Sequence, residues 1–310
     1  MPRTVDITLP PELTDAVIAE IQQLDGVVGI RLQRGVCLRP PGDLATVEIT
    51  NRGMGRLMAV LDGHGVGTEP GRGFSTSEPV SMVSASAAGP LADDASEFTW
   101  EEMETALAKE SNMTPSALLL MGVAGFVAAL GIGTGTLHYV IGAMLIAPGF
   151  EPLVRVGLGL ASGSPCLRRG LMCTLQGYAA LLAGAAGATA LLAPDALAPD
   201  PGPATYLPSA ALVQYWSNPT TVSVMTSGVA SIAGAVVIAS GRPLLTAGVM
   251  VALALIPSAA LTGMALVRGD WALAGSASLR WAIDAALVVG VSLPVFAWKR
   301  AAVHRRPAMM

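Results

Sequence analysis

Four ionisable residues stand inside apolar stretches of the sequence: Glu151, Arg155, Arg280 and Asp284. A charge at the centre of a membrane span costs about 2.5–3.5 kcal/mol on insertion scales, so it faces a partner, water or a solute. Glu151 and Arg155 are four residues apart, as are Arg280 and Asp284, a spacing that puts each pair on one face of a helix. Two chemistries are open to them. Either each pair neutralises itself and fixes helix packing, or Glu151 carries a proton or ion, with Arg280 as an anion contact or counter-ion. Arg155 and Arg280 have a further option, to extend along apolar surface toward the membrane boundary.

Glu151 lies between Pro148-Gly149 and Pro152, and Pro257-Ser258 interrupts a later apolar stretch. Proline removes an amide donor and clashes with the preceding turn, so a helix kinks or breaks there. In lipid, the freed backbone groups must be satisfied by protein, water or a solute. Paired interruptions at matching positions therefore point to a transport site near the membrane midplane, whereas two plain kinks in packed helices are the simpler alternative. The candidate solute or ion site comprises Pro148, Gly149, Glu151, Pro152, Arg155, Pro257, Ser258, Arg280 and Asp284.

The elements that must hold these residues are apolar. The 310 residues are 52% hydrophobic and 13% charged, with a mean hydropathy of +0.58, far from the roughly one-quarter charged share of a soluble domain. Stretches long enough to cross a bilayer as helices fall near residues 115–133, 138–161, 169–193, 219–239, 244–267 and 272–298. Lys109, Arg168, Arg169, Arg242 and the 299–306 tail all fall on one side if both termini are cytoplasmic; Arg268 alone goes against that orientation. A shift of 106 residues carries the first three spans onto the last three, placing Gly142 on Gly248, Met144 on Met250, Gly157 on Gly263 and Gly163 on Gly269. Pro152 falls one place from Pro257. Units with an odd number of spans that follow one another directly are inverted, so a 3+3 inverted repeat is expected.

Residues 1–85 read as a soluble α+β domain. Val5, Ile7 and Leu9 alternate with polar residues as in a half-buried strand. Leu13, Val17, Ile21 and Leu24 then mark a helix ending at Gly26. A hairpin about Pro40-Pro41-Gly42-Asp43, a second helix through Met54, Leu57, Met58 and Leu61, and a weaker strand over 74–83 complete βαββαβ, the order of a ferredoxin-like sandwich. The Gly63-His64-Gly65 loop either approaches a regulatory ligand closely or is a plain turn. Residues 86–113 are expected to form a linker and a juxtamembrane amphipathic helix with a capping box, Thr99 answered by Glu102. Residues 114–298 are expected to be the six-helix membrane domain, and 299–310 a basic cytoplasmic tail.

The stretch IGAMLIAPGFEPLVRVGLGLASG, from Ile141 to Gly163, resembles the signature of the bacterial and archaeal membrane family called domain of unknown function 389, and residues 228–290 resemble its second half. The resemblance implies this architecture, a prokaryotic inner membrane location and, less directly, transport. Here Glu151 stands where members usually carry a small or apolar residue, and Pro257-Ser258 stands where two prolines are common.

Other functions are excluded or disfavoured. A net charge of −4 and a pI of about 5.4, with no basic block beyond the tail, leave no footprint for nucleic acid. Cys37, Cys166 and Cys173 form no CxxC pair and are read as small buried residues, so no metal or cofactor is expected. The N-terminus has no apolar core of secretory-signal length. No hydrolase or metalloprotease motif is present, and an enzyme is not expected. His138, Tyr139, Trp216, Trp271 and Trp298 read as interfacial anchors. Gly159 with Gly163, and Gly184 with Ala188, read as close-packing faces, making a homo-oligomer plausible. The expected function is a secondary transporter or channel with a cytoplasmic regulatory domain; the alternative is a membrane-anchored ligand sensor or scaffold.

Overall fold

The computed structural model describes residues 2–79, 82, 84, 87–92, 94, 100–162, 166–192, 210–241 and 246–302. They divide into two units, with boundaries between Met103 and Glu104 and between Ala297 and Trp298. The first unit opens on β1 (Arg3–Leu9), α1 (Pro11–Ile21), β2 (Val27–Leu38), β3 (Pro41–Ile49), α2 (Asn51–Gly63) and β4 (Gly73–Ser77). The strands form one antiparallel sheet in the order β2-β3-β1-β4, with Val5 opposite both Val47 and Thr76. Strict alternation in β1 and β3 sends Val5, Ile7, Leu9, Ala45, Val47 and Ile49 to one face, where the stripes of α1 and α2 cover them. Gly26, at φ +94°, makes the turn after α1; a Cβ there would fall 2.5 Å from the Thr50 hydroxyl. The fourth strand is shorter than expected, ending at Ser77, and residues 80, 81 and 83 lie outside the described ones.

Between Gln33 and Cys37 the hairpin bulges. Gly35, at φ +65°, donates its amide to the buried Asp43 carboxylate at 2.7 Å. That hydrogen bond holds Asp43 below the usual carboxylate range. A lowered folded pKa contributes stability above the unfolded value of about 4, and the contribution is lost as pH falls through the folded one. Thermal unfolding of the full chain from about pH 6 to 3 should therefore separate wild type from Asp43→Asn. The variant is less stable at the upper end, and the difference shrinks toward the lower end.

α3 (Ala88–Ala92) precedes α4 (Trp100–Ser111), which crosses the unit boundary. The expected capping box cannot be placed, because Thr99 lies outside the described residues. Glu102 instead meets Arg3 of β1, Nε to Oε1 at 2.8 Å, and Arg3 also reaches Glu78 at 3.1 Å. Met103 and Leu107 are buried, as their stripe predicts.

The second unit is helical: α5 (Pro115–Thr134), α6 (Leu137–Ile146), α7 (Glu151–Ser162), α8 (Cys166–Leu192), α9 (Ala210–Ser217), α10 (Thr221–Ala239), α11 (Thr246–Ala252), α12 (Leu255–Arg268) and α13 (Trp271–Ala302), the last of which crosses the unit boundary after Ala297. α5, α8, α10 and α13 are each long and apolar enough to cross a membrane; α6 with α7 and α11 with α12 pass the same test as bent pairs. Four such spans, or six if each bent pair is one span, make this a membrane-helix-rich protein. Long apolar runs leave no other option, since every backbone group in lipid must be paired within its own segment.

Three expected placements change in the structure. Trp216 is buried rather than interfacial, because the short α9 packs on α12; Trp271 and Trp298 are exposed as expected of anchors. Cys37 and Cys166 are half-buried, and Cys173 is buried. Gly159 does support a close approach, since a Cβ there would strike the Leu167 backbone. Its expected partner Gly163, the basic Arg242 and the tail beyond residue 302 lie outside the described residues.

Candidate functional site

Both expected interruptions are present, and they are breaks rather than kinks. α6 and α7 meet at 45°, and α11 and α12 at 48°. The prolines do not all play the part their spacing predicts. Pro148 lies in the first break, but Pro152 is the second residue of α7 and Pro257 the third of α12. In a first helical turn the missing amide hydrogen would have had no partner anyway, so these two prolines start the second half-helices instead of bending a continuous one.

A helix end leaves unpaired amides and carbonyls, and each break finds its partner on the next long helix. The Tyr178 hydroxyl of α8 donates to the Gly149 carbonyl at 3.1 Å. At the second break Asp284 of α13 accepts the Ala254 amide at 3.1 Å through Oδ2. The Ser258 hydroxyl folds back onto the Ala254 carbonyl and is not free for a solute. The two breaks are also neighbours. A Cβ on Gly149 would lie 2.9 Å from Ile256 Cδ1, 3.0 Å from the Tyr178 hydroxyl and 3.6 Å from Met250 Cε, so only glycine fits at 149 without displacement. Phe150, fully buried, packs its ring where a Cβ on Gly234 would stand.

Arg280 and Asp284 form the expected ion pair, Nη2 to Oδ1 at 3.3 Å. Both are buried. Arg280 donates through Nη1 to Ser223 at 2.5 Å and through Nη2 to Ser227 at 3.2 Å, both on α10. The pair thus joins α10, α13 and the start of α12. Mutual attraction and these hydrogen bonds offset part of the desolvation cost of two buried charges, while Arg280 Nε and Asp284 Oδ1 make no hydrogen bond among the described residues.

Glu151 and Arg155 do not form the second expected pair. Arg155 is buried and donates through Nη1 to Ser111 Oγ at 3.1 Å and Asn112 Oδ1 at 2.9 Å, binding α7 to the segment that enters α5. Neutral acceptors have taken the guanidinium away from its neighbour. Glu151 is the first residue of α7, where unpaired amides and the positive end of the helix dipole favour a carboxylate. Its Oε2 is enclosed and has no hydrogen-bond partner among the described residues. The Thr246 hydroxyl and the Glu110 carboxylate are polar groups acting on it, and Glu151 and Asp284 both lie within electrostatic reach of Tyr178.

The structure therefore gathers Gly149, Pro257, Ser258, Arg280 and Asp284 about the two breaks and sets Glu151 beside them, while sending Arg155 elsewhere. Tyr178, Ser223, Ser227 and Thr246 were missed, because a hydroxyl in an apolar run is indistinguishable from packing until its partner is known. One signal was available: Tyr178 and Asp284 are themselves 106 residues apart. In the first unit, Gly63 ends α2, and His64 and Gly65 form the turn that follows it. His64 Nε2 meets Glu20 Oε1 at 3.0 Å, and Arg72 donates to the His64 carbonyl at 2.7 Å.

Both breaks, and Tyr178 and Asp284 that hold them, lie within one matched region. The family model described as domain of unknown function 389 matches residues 144–290. The chain resembles that family. The match to domain of unknown function 389 takes in both breaks, Glu151, Arg155, Tyr178, Arg280 and Asp284, and begins inside the IGAMLIAP stretch. No curated protein and no solved structure matches the chain.

Proposed function

We propose that this protein is a secondary transporter or channel for a small solute or ion, set in a prokaryotic cell membrane with both termini cytoplasmic and the N-terminal unit as a regulatory domain. The observation that carries the reading is the meeting of two broken helices beside a carboxylate, Glu151, with one enclosed oxygen that has no hydrogen-bond partner among the described residues. A simple membrane anchor has no need of either. Unpaired half-helix ends near the midplane are where transporters hold anions and coupling ions. Glu151 is the proton- or ion-carrying group, and Arg280, already neutralised by Asp284, is a structural counter-ion rather than a free anion contact.

An inverted 3+3 repeat is supported by caps that coincide at the same offset of 106 residues. Thr114 caps α5 by accepting from Ala117, and Thr220 caps α10 by accepting from Ser223. Gly135 ends α5 at φ +69°, and Gly241 follows α10 at φ +68°. Tyr178 and Asp284 hold the two breaks from equivalent places. A ferredoxin-like assignment of the first unit is supported by its βαββαβ order and its β2-β3-β1-β4 sheet. Association into a homo-oligomer belongs to the same proposal, and no enzymatic step is part of it.

The test is proton flux in phospholipid vesicles that contain the full-length protein and trapped pyranine, driven by a potassium gradient with valinomycin. The expected result is flux above protein-free vesicles that Glu151→Gln removes while Arg155→Lys keeps it. Flux that Glu151→Gln leaves unchanged in size and pH dependence overturns the assignment to Glu151. Absence of flux, together with a metabolite that binds the first unit and ignores Glu151→Gln, would favour a sensor.

A further inference from the structure

A cavity of about 370 Å³ lies between α8, α12 and α13. One long wall is a stripe of α8 that runs from Leu171 through Thr174, Leu175 and Tyr178 to Leu182, about 16 Å at 1.5 Å per residue. Ala259 and Thr262 of α12 and Ser278 and Trp281 of α13 face it. The lining is overwhelmingly apolar, and its few hydroxyls are already occupied. Thr174 donates to the Gly170 carbonyl at 2.9 Å, and Thr262 lies 3.3 Å from Ser278 while donating to the Ser258 carbonyl. The cavity therefore selects a long apolar occupant, and the Trp281 indole N–H is a buried lining donor with no hydrogen-bond partner among the described residues.

Its mouth is as informative as its lining. Leu171 and Leu175 are 53% and 73% exposed, on a helix long and apolar enough to cross a membrane. Exposed leucines on such a helix face hydrocarbon, so the cleft opens sideways to acyl chains. One turn before Leu171 on the same stripe stands Arg168, with Arg169 beside it, both exposed. α8 has 27 residues, about 40 Å, against a hydrocarbon core of about 30 Å, so its first turn reaches the headgroup layer.

We propose that this cleft binds an anionic phospholipid, its phosphate at Arg168 and Arg169 and one acyl chain along Leu171, Leu175 and Leu182. The site stands apart from the transport reading and does not depend on it. It does touch the same machinery. Tyr178 lines the cleft, stacks edge-on with Trp281 at 4.9 Å between ring centroids, and donates to the Gly149 carbonyl at the first break. A chain seated in the cleft packs on the aromatic ring whose hydroxyl holds that break.

The test uses purified full-length protein in detergent, titrated with phosphatidylglycerol or phosphatidylcholine of the same acyl chains. Retained lipid is counted by native mass spectrometry and the unfolding temperature is followed alongside. Phosphatidylglycerol is expected to be retained and to raise the unfolding temperature, and phosphatidylcholine not. Arg168→Gln with Arg169→Gln should weaken binding about 30-fold, from about 1 kcal/mol for each basic residue at a membrane surface. Ala179→Phe fills the cleft without touching either arginine and should abolish retention; Ser278→Leu fills it from the opposite wall should the first variant fail to fold. Equal retention of the two lipids overturns the proposal, as does undiminished phosphatidylglycerol binding in a folded cleft-filling variant, which would mean surface adsorption alone. Efficient Leu175→Cys cross-linking between two copies in excess phosphatidylglycerol also overturns it, because the occupant would then be a second copy of the chain.

Discussion

Asp284→Ala should lower the stability of the full-length protein by about 3–5 kcal/mol, the usual cost of removing one partner from a buried ion pair. The variant leaves Arg280 enclosed with two serine hydroxyls and no counter-charge, and frees the Ala254 amide at the start of α12. The double variant Arg280→Met with Asp284→Leu removes both charges and should be markedly less damaging, because no uncompensated charge remains in the interior. Chemical unfolding in mixed micelles, compared across the single and double variants, measures the difference. A double variant as unstable as Asp284→Ala would mean that the Ala254 contact, rather than charge balance, dominates.

The second large effect is expected at the contact between α5 and α8. A Cβ on Gly184 would strike the Gly122 carbonyl, and one on Gly125 would strike the Leu181 carbonyl. The obstacle in both cases is backbone, which has no rotamer to escape into, so the helices must separate. Gly184→Leu should cost about 3 kcal/mol or more, at or above the upper end of ordinary overpacking. Gly187→Leu on the same helix meets open space and should be almost neutral. The yield of monodisperse protein on size exclusion, with unfolding temperatures for both variants, is the check. In membranes, where lipid is as apolar as leucine, such close backbone approach is a main source of helix association.

Much of the architecture was legible in the sequence because it follows from local rules. Apolar runs of about 20 residues allow only helices in lipid. Thus the six expected stretches coincide closely with α5, α6 with α7, α8, α10, α11 with α12, and α13. Alternation in Val5-Asp6-Ile7-Thr8-Leu9 set both strand and buried face, since the pleat has a period of two. The breaks were legible too, as the steric consequence of Pro148 and of Pro152 and Pro257 at matching positions, although the latter two begin half-helices instead of cutting whole ones.

Tertiary structure alone decided which polar groups meet. Spacing made Glu151 with Arg155 and Arg280 with Asp284 equivalent pairs, yet one forms and the other does not. Spacing on one helix fixes only that two side chains can meet. Their actual partners depend on competing acceptors on other helices: Ser111 and Asn112 draw Arg155 away, whereas Ser223 and Ser227 reinforce Arg280 beside Asp284. Tyr178 carries the same lesson. An aromatic residue in an apolar run satisfies its amphipathic chemistry at a membrane surface or in an interior hydrogen bond, and only the packing of neighbouring helices chooses between them. The sequence by itself determined the membrane-length helices and their interruptions, because these are consequences of covalent chemistry and the hydrophobic effect along one segment. The pairing of charges and broken ends is a property of several segments at once, and only the folded arrangement holds it.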